Sequence, residues 1–260
     1  MWFVDMHCHI DAYDDPVSVV AEAEANLVHT VGVTNLPSGF ERMEPLLHGR
    51  EYVCPALGLH PQHAFRQHFE LKRMLSLLDR TRYIGEIGLD YSTPSSTDRQ
   101  VQRHIFGRIL EHCQSAGNKI LSVHSRRSAA DVISAIGGEY PGKVILHWFA
   151  GSRKELERAV SYGYYFSVNP AMARTDRGIS LIRAIPRERL LTETDGPYVN
   201  VNRKPVRPRD AHNTVLLLGG LLNLDVAELA GVVYQNFRQL HGDIPQKPEL
   251  RGQTNGQEAR

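Results

Sequence analysis

Strand-like and helix-like stretches alternate along most of the 260-residue chain. Short apolar runs such as Trp2–Met6, Thr30–Leu36 and Leu190–Thr192 are each followed by a stretch with apolar residues at helical spacing. Eight such units follow one another. Strands joined by helices run parallel, and eight of them can close into a (β/α)8 TIM barrel, which is the fold we predict. A doubly wound open sheet is the main alternative.

The first strand ends in a His-x-His pair, His7 and His9. Side chains two residues apart on a strand share a face, so both imidazoles can point to one place. Imidazole is the commonest protein ligand for zinc-like metals. The pair alone decides little, because a chain with 13 histidines contains such spacings by chance.

Further residues that can bind metal lie at the carboxyl ends of later strands, as His7 and His9 do on the first strand. They are Glu86 after the fourth strand, His124 after the fifth, His147 after the sixth and Asp195 after the eighth. In a barrel these positions converge on one mouth, where active sites are built. Four histidines and two carboxylates exceed the needs of one tetrahedral ion. We therefore predict two divalent metal ions, about 4 Å apart, that share a carboxylate.

The predicted ligands divide into two groups around Glu86, which has two oxygens and would bridge the ions. His7, His9 and Asp195 would complete one site, and His124 and His147 the other. Asp195 would accept a proton from the water that the ions activate.

His60 is the third predicted catalytic residue, beside Asp195 and Glu86. It ends the third strand and precedes Pro61, which favours an extended backbone. It would hydrogen-bond the substrate or its leaving group, although a purely structural role is equally consistent with the sequence.

Three residues at the mouth are candidate substrate contacts. Arg126 can hold a phosphate oxygen, and Phe149 and Tyr198 can stack on bases. A basic loop follows the eighth strand and contains Arg203, Lys204, Arg207 and Arg209. It can line a groove for a polyanionic backbone, and the alternative for each of these residues is a solvated or packing role.

Composition narrows the function classes. The 30 basic and 29 acidic residues leave no global field that would attract nucleic acid or a membrane surface. The cysteines are odd in number and scattered, at 8, 54 and 113, which favours a reducing cytosol. We find no signal peptide, no apolar stretch long enough for a bilayer and no glycine-rich nucleotide loop, so we expect a cytoplasmic protein without membrane or nucleotide cofactor.

The domain organisation predicted from composition is simple. Residues 1–241 would form the barrel domain. Residues 242–260 are rich in Gly, Gln, Pro and charge, with few apolar residues, and are predicted to be disordered.

The strand-end motifs resemble those of the TatD family of metal-dependent deoxyribonucleases, within the amidohydrolase-like barrels. The matching stretches are DMHCHID, GLHP at 58–61, GEIGLD at 85–90, VHSR at 123–126, HWFAGS at 147–152 and ETDGP at 193–197. The resemblance implies a (β/α)8 barrel, a two-metal site on the residues named above and a contribution from His60. It also implies 3′→5′ exonuclease activity on single-stranded DNA with Mg²⁺, Mn²⁺ or Zn²⁺.

A narrower resemblance is to the TatD-like nuclease component of the Qat anti-phage defence system. It rests on LSVHSRRSA, ILHWFAGS, FSVNPAM and LLTETDGP. It implies a role in anti-phage defence and other proteins of that system as partners.

The chain departs from the family pattern in loops that face the substrate. Gln62 stands where relatives continue GLHP with a second histidine, GEIGLDYY becomes GEIGLDYS, and the usual Arg-Gly-Lys-Asn stretch is replaced by NVNRKPVRP. Two other functions therefore stay open. One is hydrolysis of another ester, such as an aminoacyl-tRNA, a small phosphoester or a carboxyl ester; the other is a non-catalytic subunit of a defence complex.

Overall fold

A computed structural model describes residues 1–242 of the chain. Eight strands form one sheet in which each strand pairs in parallel with the next along the chain. They are β1 Phe3–Cys8, β2 Val28–Gly32, β3 Val53–Leu57, β4 Tyr83–Gly88, β5 Ile120–His124, β6 Lys143–His147, β7 Tyr165–Val168 and β8 Leu190–Thr192. The predicted barrel is confirmed, and the open doubly wound order is wrong because the strand order never reverses.

The barrel closes between its first and last strands just beyond the end of β8. Asp195 N donates to His7 O at 2.8 Å, and His9 N donates to Gly196 O at 2.8 Å. The buried side chain of Asp5 reinforces this seam, because its carboxylate accepts from Thr194 N at 2.8 Å and from Thr194 Oγ1 at 2.6 Å. The closure thus brings the ends of β1 and β8 side by side.

Helices cover the outside of the barrel. They are α1 Pro16–Ala25, α2 Pro37–Leu47, α3 Pro61–Ala64, α4 Glu70–Leu77, α5 Ser96–Ala116, α6 Ala129–Ile136, α7 Arg153–Ser161, α8 Asp176–Ala184, α9 Ala211–Leu222 and α10 Val226–His241. Local signals set their ends: the Asp15 side chain caps α1, and α5 ends at Gly117, whose φ is 79°.

Within residues 1–242 no single helix is long and apolar enough to cross a membrane. The segments Pro208–Leu222 and Val226–His241 reach that length and composition only as a pair, which is bent by 111°.

Two predicted features differ from the structure. The second strand, predicted over Thr30–Leu36, ends at Gly32, because the chain then turns toward Pro37 at the start of α2. The basic loop predicted after the eighth strand contains an antiparallel hairpin of β9 Asn200–Val201 and β10 Lys204–Pro205. The predicted disorder of 242–260 concerns residues that, from 243 onward, lie outside the described part of the chain.

Candidate metal centre

Glu86 on β4 lies at the centre of the barrel mouth, and its side chain is 2% exposed. Its Oε2 faces the first-strand histidines, 3.1 Å from His9 Nε2 and 3.5 Å from His7 Nε2. Its Oε1 faces a second set, at 2.6 Å from His124 Nδ1, 3.0 Å from His147 Nε2 and 3.3 Å from His60 Nε2. The structure therefore brings predicted residues from four other strand ends around the carboxylate of Glu86.

Three of these histidines have their outer ring nitrogen held by another side chain. His7 Nδ1 lies 2.7 Å from Ser122 Oγ. The corresponding pairs for the others are His124 Nε2 with Asp90 Oδ2 at 3.0 Å and His147 Nδ1 with Glu193 Oε1 at 3.3 Å. An outer N–H that donates to such a partner leaves the inner nitrogen with a lone pair, which is the arrangement of metal-binding histidines.

His60 is arranged differently. Its Nδ1 accepts a hydrogen bond from Gln62 N at 3.1 Å, so in the neutral ring the proton resides on Nε2. That nitrogen points at Glu86 Oε1. Although His60, Glu86 and His124 are close enough to hold an ion together, the tautomer makes His60 a hydrogen-bond donor. This fits the predicted role in contacting substrate.

Asp195 lies at the seam of the barrel and completes the group with His7 and His9. Its Oδ1 is 3.7 Å from His9 Nε2 and 3.8 Å from His7 Nε2. Its backbone adopts a left-handed φ of 49°, which the hydrogen bond of its N–H to His7 O maintains. Burial raises the pKa of the Asp195 carboxyl to about 7, although His147 and His9 oppose the shift.

The donor set fits divalent cations. Burial alone would raise the pKa of Glu86, but His60, His147 and His124 outweigh it and hold the pKa well below its usual range. Glu86 is thus a buried carboxylate that stays ionised, and a bound cation would neutralise its charge. The imidazole nitrogens converge, with His7 Nε2 only 3.2 Å from His9 Nε2, and a bound cation would separate them. Imidazole nitrogen with carboxylate oxygen suits Zn²⁺ and Mn²⁺, and carboxylate also suits Mg²⁺.

Glu193 is close enough to His7 and His147 to form a third group of possible ligands. Its oxygens are already occupied, because they accept from Trp148 N at 3.2 Å, Asn169 Nδ2 at 2.8 Å and Ser167 Oγ. Glu193 therefore positions His147 instead of offering a free oxygen.

A cavity of about 480 Å³ opens above Glu86. Arg126 and Tyr198 line it, as expected for substrate contacts. Phe149 does not: it is 1% exposed and packs edge-on against Phe166, with ring centroids 5.4 Å apart. Its neighbour Trp148 lines the cavity instead, because a φ of 38° turns the backbone so that the indole faces outward.

Sequence reasoning does not assign a role to Asp90, Glu193 or Ser122. Asp90 and Glu193 stand within the strand-end motifs GLD and TETD, so their position was the available signal. Ser122 lies inside β5 and carried no such signal.

Comparison with known proteins agrees with this geometry. Residues 4–242 match the sequence profile of the family described as TatD related DNase. Human deoxyribonuclease TATDN3 is 28% identical over 258 residues, covering 91% of this chain and 93% of the human protein. The uncharacterized metal-dependent hydrolase YcfH of Escherichia coli K12 is 30% identical over 276 residues, covering 96% of this chain and all (100%) of YcfH.

The fold has a solved counterpart. The crystal structure of YJJV, a TatD homolog from Escherichia coli K12, superposes with a TM-score of 0.81 at 24% identity, covering 92% of this chain and 97% of that one. The profile match, the relatives and the barrel together lead to one assignment. The chain belongs to the TatD family and is a metal-dependent hydrolase that acts on ester bonds.

Proposed function

We propose that the protein is a metal-dependent deoxyribonuclease that hydrolyses phosphodiesters from the 3′ end of single-stranded DNA at a two-metal site. The observation that carries the proposal is the position of Glu86, whose two oxygens face separate sets of histidines. A carboxylate in that position can serve as a ligand shared by two ions.

The ligand groups follow from which oxygen each residue faces. His7, His9 and Asp195 would hold one ion on the Oε2 side of Glu86, and His124 and His147 would hold the other on the Oε1 side. Bound Mg²⁺, Mn²⁺ or Zn²⁺ would supply a Lewis acid for the phosphate and lower the pKa of the attacking water.

The chain's own residues supply the proton chemistry and the positioning. Asp195 is buried at the seam beside the first ligand group and is placed to accept the proton of the attacking water. His60 presents its Nε2–H toward the cavity centre, where it can donate a hydrogen bond to the leaving oxygen. Arg126 lies on the cavity wall and has no acidic partner within residues 1–242, so it can bind a phosphate oxygen.

The shape of the cavity and the names of relatives support DNA as the substrate. A volume of about 480 Å³ accommodates a ligand of roughly drug size. Such a site would admit the end of a strand and exclude a stacked duplex. The human relative is named a deoxyribonuclease. Tyr198 is 56% exposed at the rim and can stack on a base.

The biological setting is a separate part of the proposal. We place the protein in the cytoplasm, and we assign it to an anti-phage system with partner proteins. The motif resemblance to the Qat component supports the defence role, and the cysteine usage supports the compartment.

A nuclease assay tests the catalytic proposal. Purified protein is incubated with 5′-labelled single-stranded DNA and Mg²⁺, Mn²⁺ or Zn²⁺, with and without chelator. We expect a ladder that shortens from the 3′ end, abolished by chelation and by Asp195→Asn. Intact DNA with all three metals would contradict the proposal, particularly if a charged tRNA, a lactone or an aryl ester were hydrolysed in parallel.

A phage-challenge assay separates catalysis from a scaffold role. If Glu86→Ala protects cells as well as the wild type does, protection needs no hydrolysis and the defence role is that of a non-catalytic subunit. Loss of protection with normal protein abundance supports the catalytic role.

A further inference from the structure

The hairpin after β8 has an unusual residue at its tip. Val201 pairs with Lys204, so the turn consists of Asn202 and Arg203 alone. Their φ values are 51° and 63°, the signs of a type I′ turn, whose second position favours glycine. Arg203 therefore holds a left-handed backbone that is unfavourable for a residue with a long side chain. Nothing in the hairpin pairing requires an arginine there.

The cations of the hairpin are poorly neutralised. Arg203 and Lys204 are exposed, and neither side chain has a hydrogen-bond or ion-pair partner among residues 1–242. Arg174, from the loop after β7, donates to the carbonyl of Asn200, and no ion pair joins it to a carboxylate among residues 1–242. The neighbourhood therefore retains positive charge that this part of the chain does not neutralise.

Two further arginines stand behind the hairpin and share one acid. Arg207 Nη1 and Arg209 Nη1 lie 2.7 Å and 3.0 Å from the same oxygen of Glu22. Asp210 accepts from the backbone N–H of Arg207 at 3.0 Å. Together with the three cations above, five positive side chains face two carboxylates, which leaves a net positive surface.

The basic residues border a groove on the same face as the metal centre. A cavity of about 930 Å³ lies between the loops after β7 and β8, and its lining includes Arg174, Lys204, Arg207 and Arg209. Both loops leave the carboxyl ends of barrel strands, as the metal-binding residues do. Tyr198, which lines the metal-site cavity, precedes β9 by two residues. The groove therefore begins beside the rim of the site.

We propose that the β9–β10 hairpin and this groove bind single-stranded DNA through the phosphates that neighbour the cleaved phosphate on the same strand. This inference rests on the proposed function. A strand with one phosphate at Glu86 must carry its neighbouring phosphates across the rim. Arg203 and Lys204 are the exposed, unneutralised cations that follow Tyr198 along this rim. Backbone phosphates, which repeat at regular spacing, complement such a row of cations independently of sequence.

The turn geometry supplies a favourable test variant. Arg203→Gly removes the charge and places the preferred residue at the turn, so the melting temperature should stay equal or rise. Arg203→Lys keeps the charge. Lys143→Gln is the matched control. Lys143 is an exposed cation whose side chain has no partner in the described part of the chain, and it begins β6 at the opposite end of the barrel.

Binding is measured by fluorescence anisotropy with a labelled 16-nucleotide phosphorothioate strand, which resists hydrolysis, over a series of salt concentrations. We expect Arg203→Gly to weaken binding roughly fivefold at low salt. The slope of the logarithm of the association constant against log[salt] is negative, and its magnitude should fall by about 0.7. Arg203→Lys and Lys143→Gln should bind like the wild type. Equal binding and slope for wild type and Arg203→Gly, or equal losses in Lys143→Gln, would overturn the inference.

Two further measurements identify the ligand and separate this inference from the proposed function. Turnover of bis(p-nitrophenyl) phosphate, which has no neighbouring phosphates, should be unchanged in Arg203→Gly. Polyglutamate matched in charge should displace the strand poorly; equally good displacement would overturn the assignment to nucleic acid. Arg203-dependent binding without any DNA cleavage would support the groove and contradict the deoxyribonuclease proposal alone.

Discussion

The imidazole rings of His7 and His147 lie stacked, with centroids 3.8 Å apart and an interplanar angle of 7°. Although the rings touch, their inner nitrogens face different oxygens of Glu86. His7 Nε2 lies 3.5 Å from Oε2, and His147 Nε2 lies 3.0 Å from Oε1. The two stacked rings thus face different oxygens of the same carboxylate, and this supports the proposed division of the ligands into two groups.

The first prediction concerns metal content. Glu86→Ala should lose both ions, because it removes the shared ligand, whereas His9→Ala and His147→Ala should each retain about one ion per chain. Elemental analysis of gel-filtered protein measures the ratio. Hydrolytic activity of Glu86→Ala should fall far beyond the ~10–100-fold typical of a residue that only orients a ligand.

The matched control for these variants is Glu157→Ala. Glu157 is an exposed acid that pairs with Arg153 on α7, so its loss should change neither metal content nor activity. Full metal content in Glu86→Ala would refute the bridging role. Loss of both ions in His9→Ala would argue against separate groups.

The second prediction concerns Asp90. It holds His124 Nε2 at 3.0 Å and also accepts from Gln62 Nε2 at 2.7 Å. Asp90→Asn should keep the shape of the site but weaken the orientation and basicity of His124, so metal affinity should fall roughly 10–100-fold with little change in melting temperature. Competition titration against a chelating dye measures the affinity. Unchanged affinity would show that Asp90 has no part in the metal site.

The third prediction concerns Gly88, which has a φ of 134° at the end of β4. A Cβ there would lie 2.1 Å from the carbonyl oxygen of His124, so the two strands must separate. Gly88→Ala should destabilise the protein by about 3 kcal/mol and displace His124. Denaturant unfolding and metal titration measure the two effects.

Gly107 is the control for that substitution. It lies within α5, and a Cβ there would meet nothing within 4 Å. Gly107→Ala should therefore stabilise the protein by about 0.5–1 kcal/mol through helix propensity. Equal stability changes at the two glycines would contradict the packing argument.

The fourth prediction concerns stability in acid. Burial lowers the pKa of His29 to about 4, and Glu24 partly opposes this; burial, Arg82 and His29 lower the pKa of His241 to about 4. Histidine pKa values lie near 6.5 in the unfolded chain, so between about pH 6.5 and 4 the unfolded chain binds more protons at these two positions than the folded protein does. The stability that His29 and His241 contribute should therefore fall as the pH drops through this window.

His29→Phe tests that assignment. The ring contacts with Trp2 and Phe237 can be kept, while one titrating group is removed. The melting temperature of the variant should fall less steeply between pH 7 and pH 4.5 than that of the wild type. Parallel curves for the two proteins would show that His29 does not contribute to the acid sensitivity.

The barrel, and the strand ends at which the reactive groups lie, could be predicted from the order of elements along the chain. Strand and helix periodicities alternate along the chain, and the ends of parallel strands in a closed sheet must meet at one mouth. Residues as distant along the chain as His7 and Asp195 could therefore be grouped without coordinates. The physical reason is that this grouping depends on element order and not on side-chain rotation.

The orientation of each group depends on packing between strands that are far apart along the chain. Which nitrogen of His124 faces Glu86, and that Asp90 holds the other, depends on ring rotation and packing across strands. The positive φ of Trp148 places its indole at the cavity and buries Phe149. The sequence does not show which of these two adjacent aromatic residues faces the cavity. The turn at Arg203 is likewise set by the pairing of β9 with β10, because the hydrogen-bond register of the hairpin determines the sign of φ at its two turn residues.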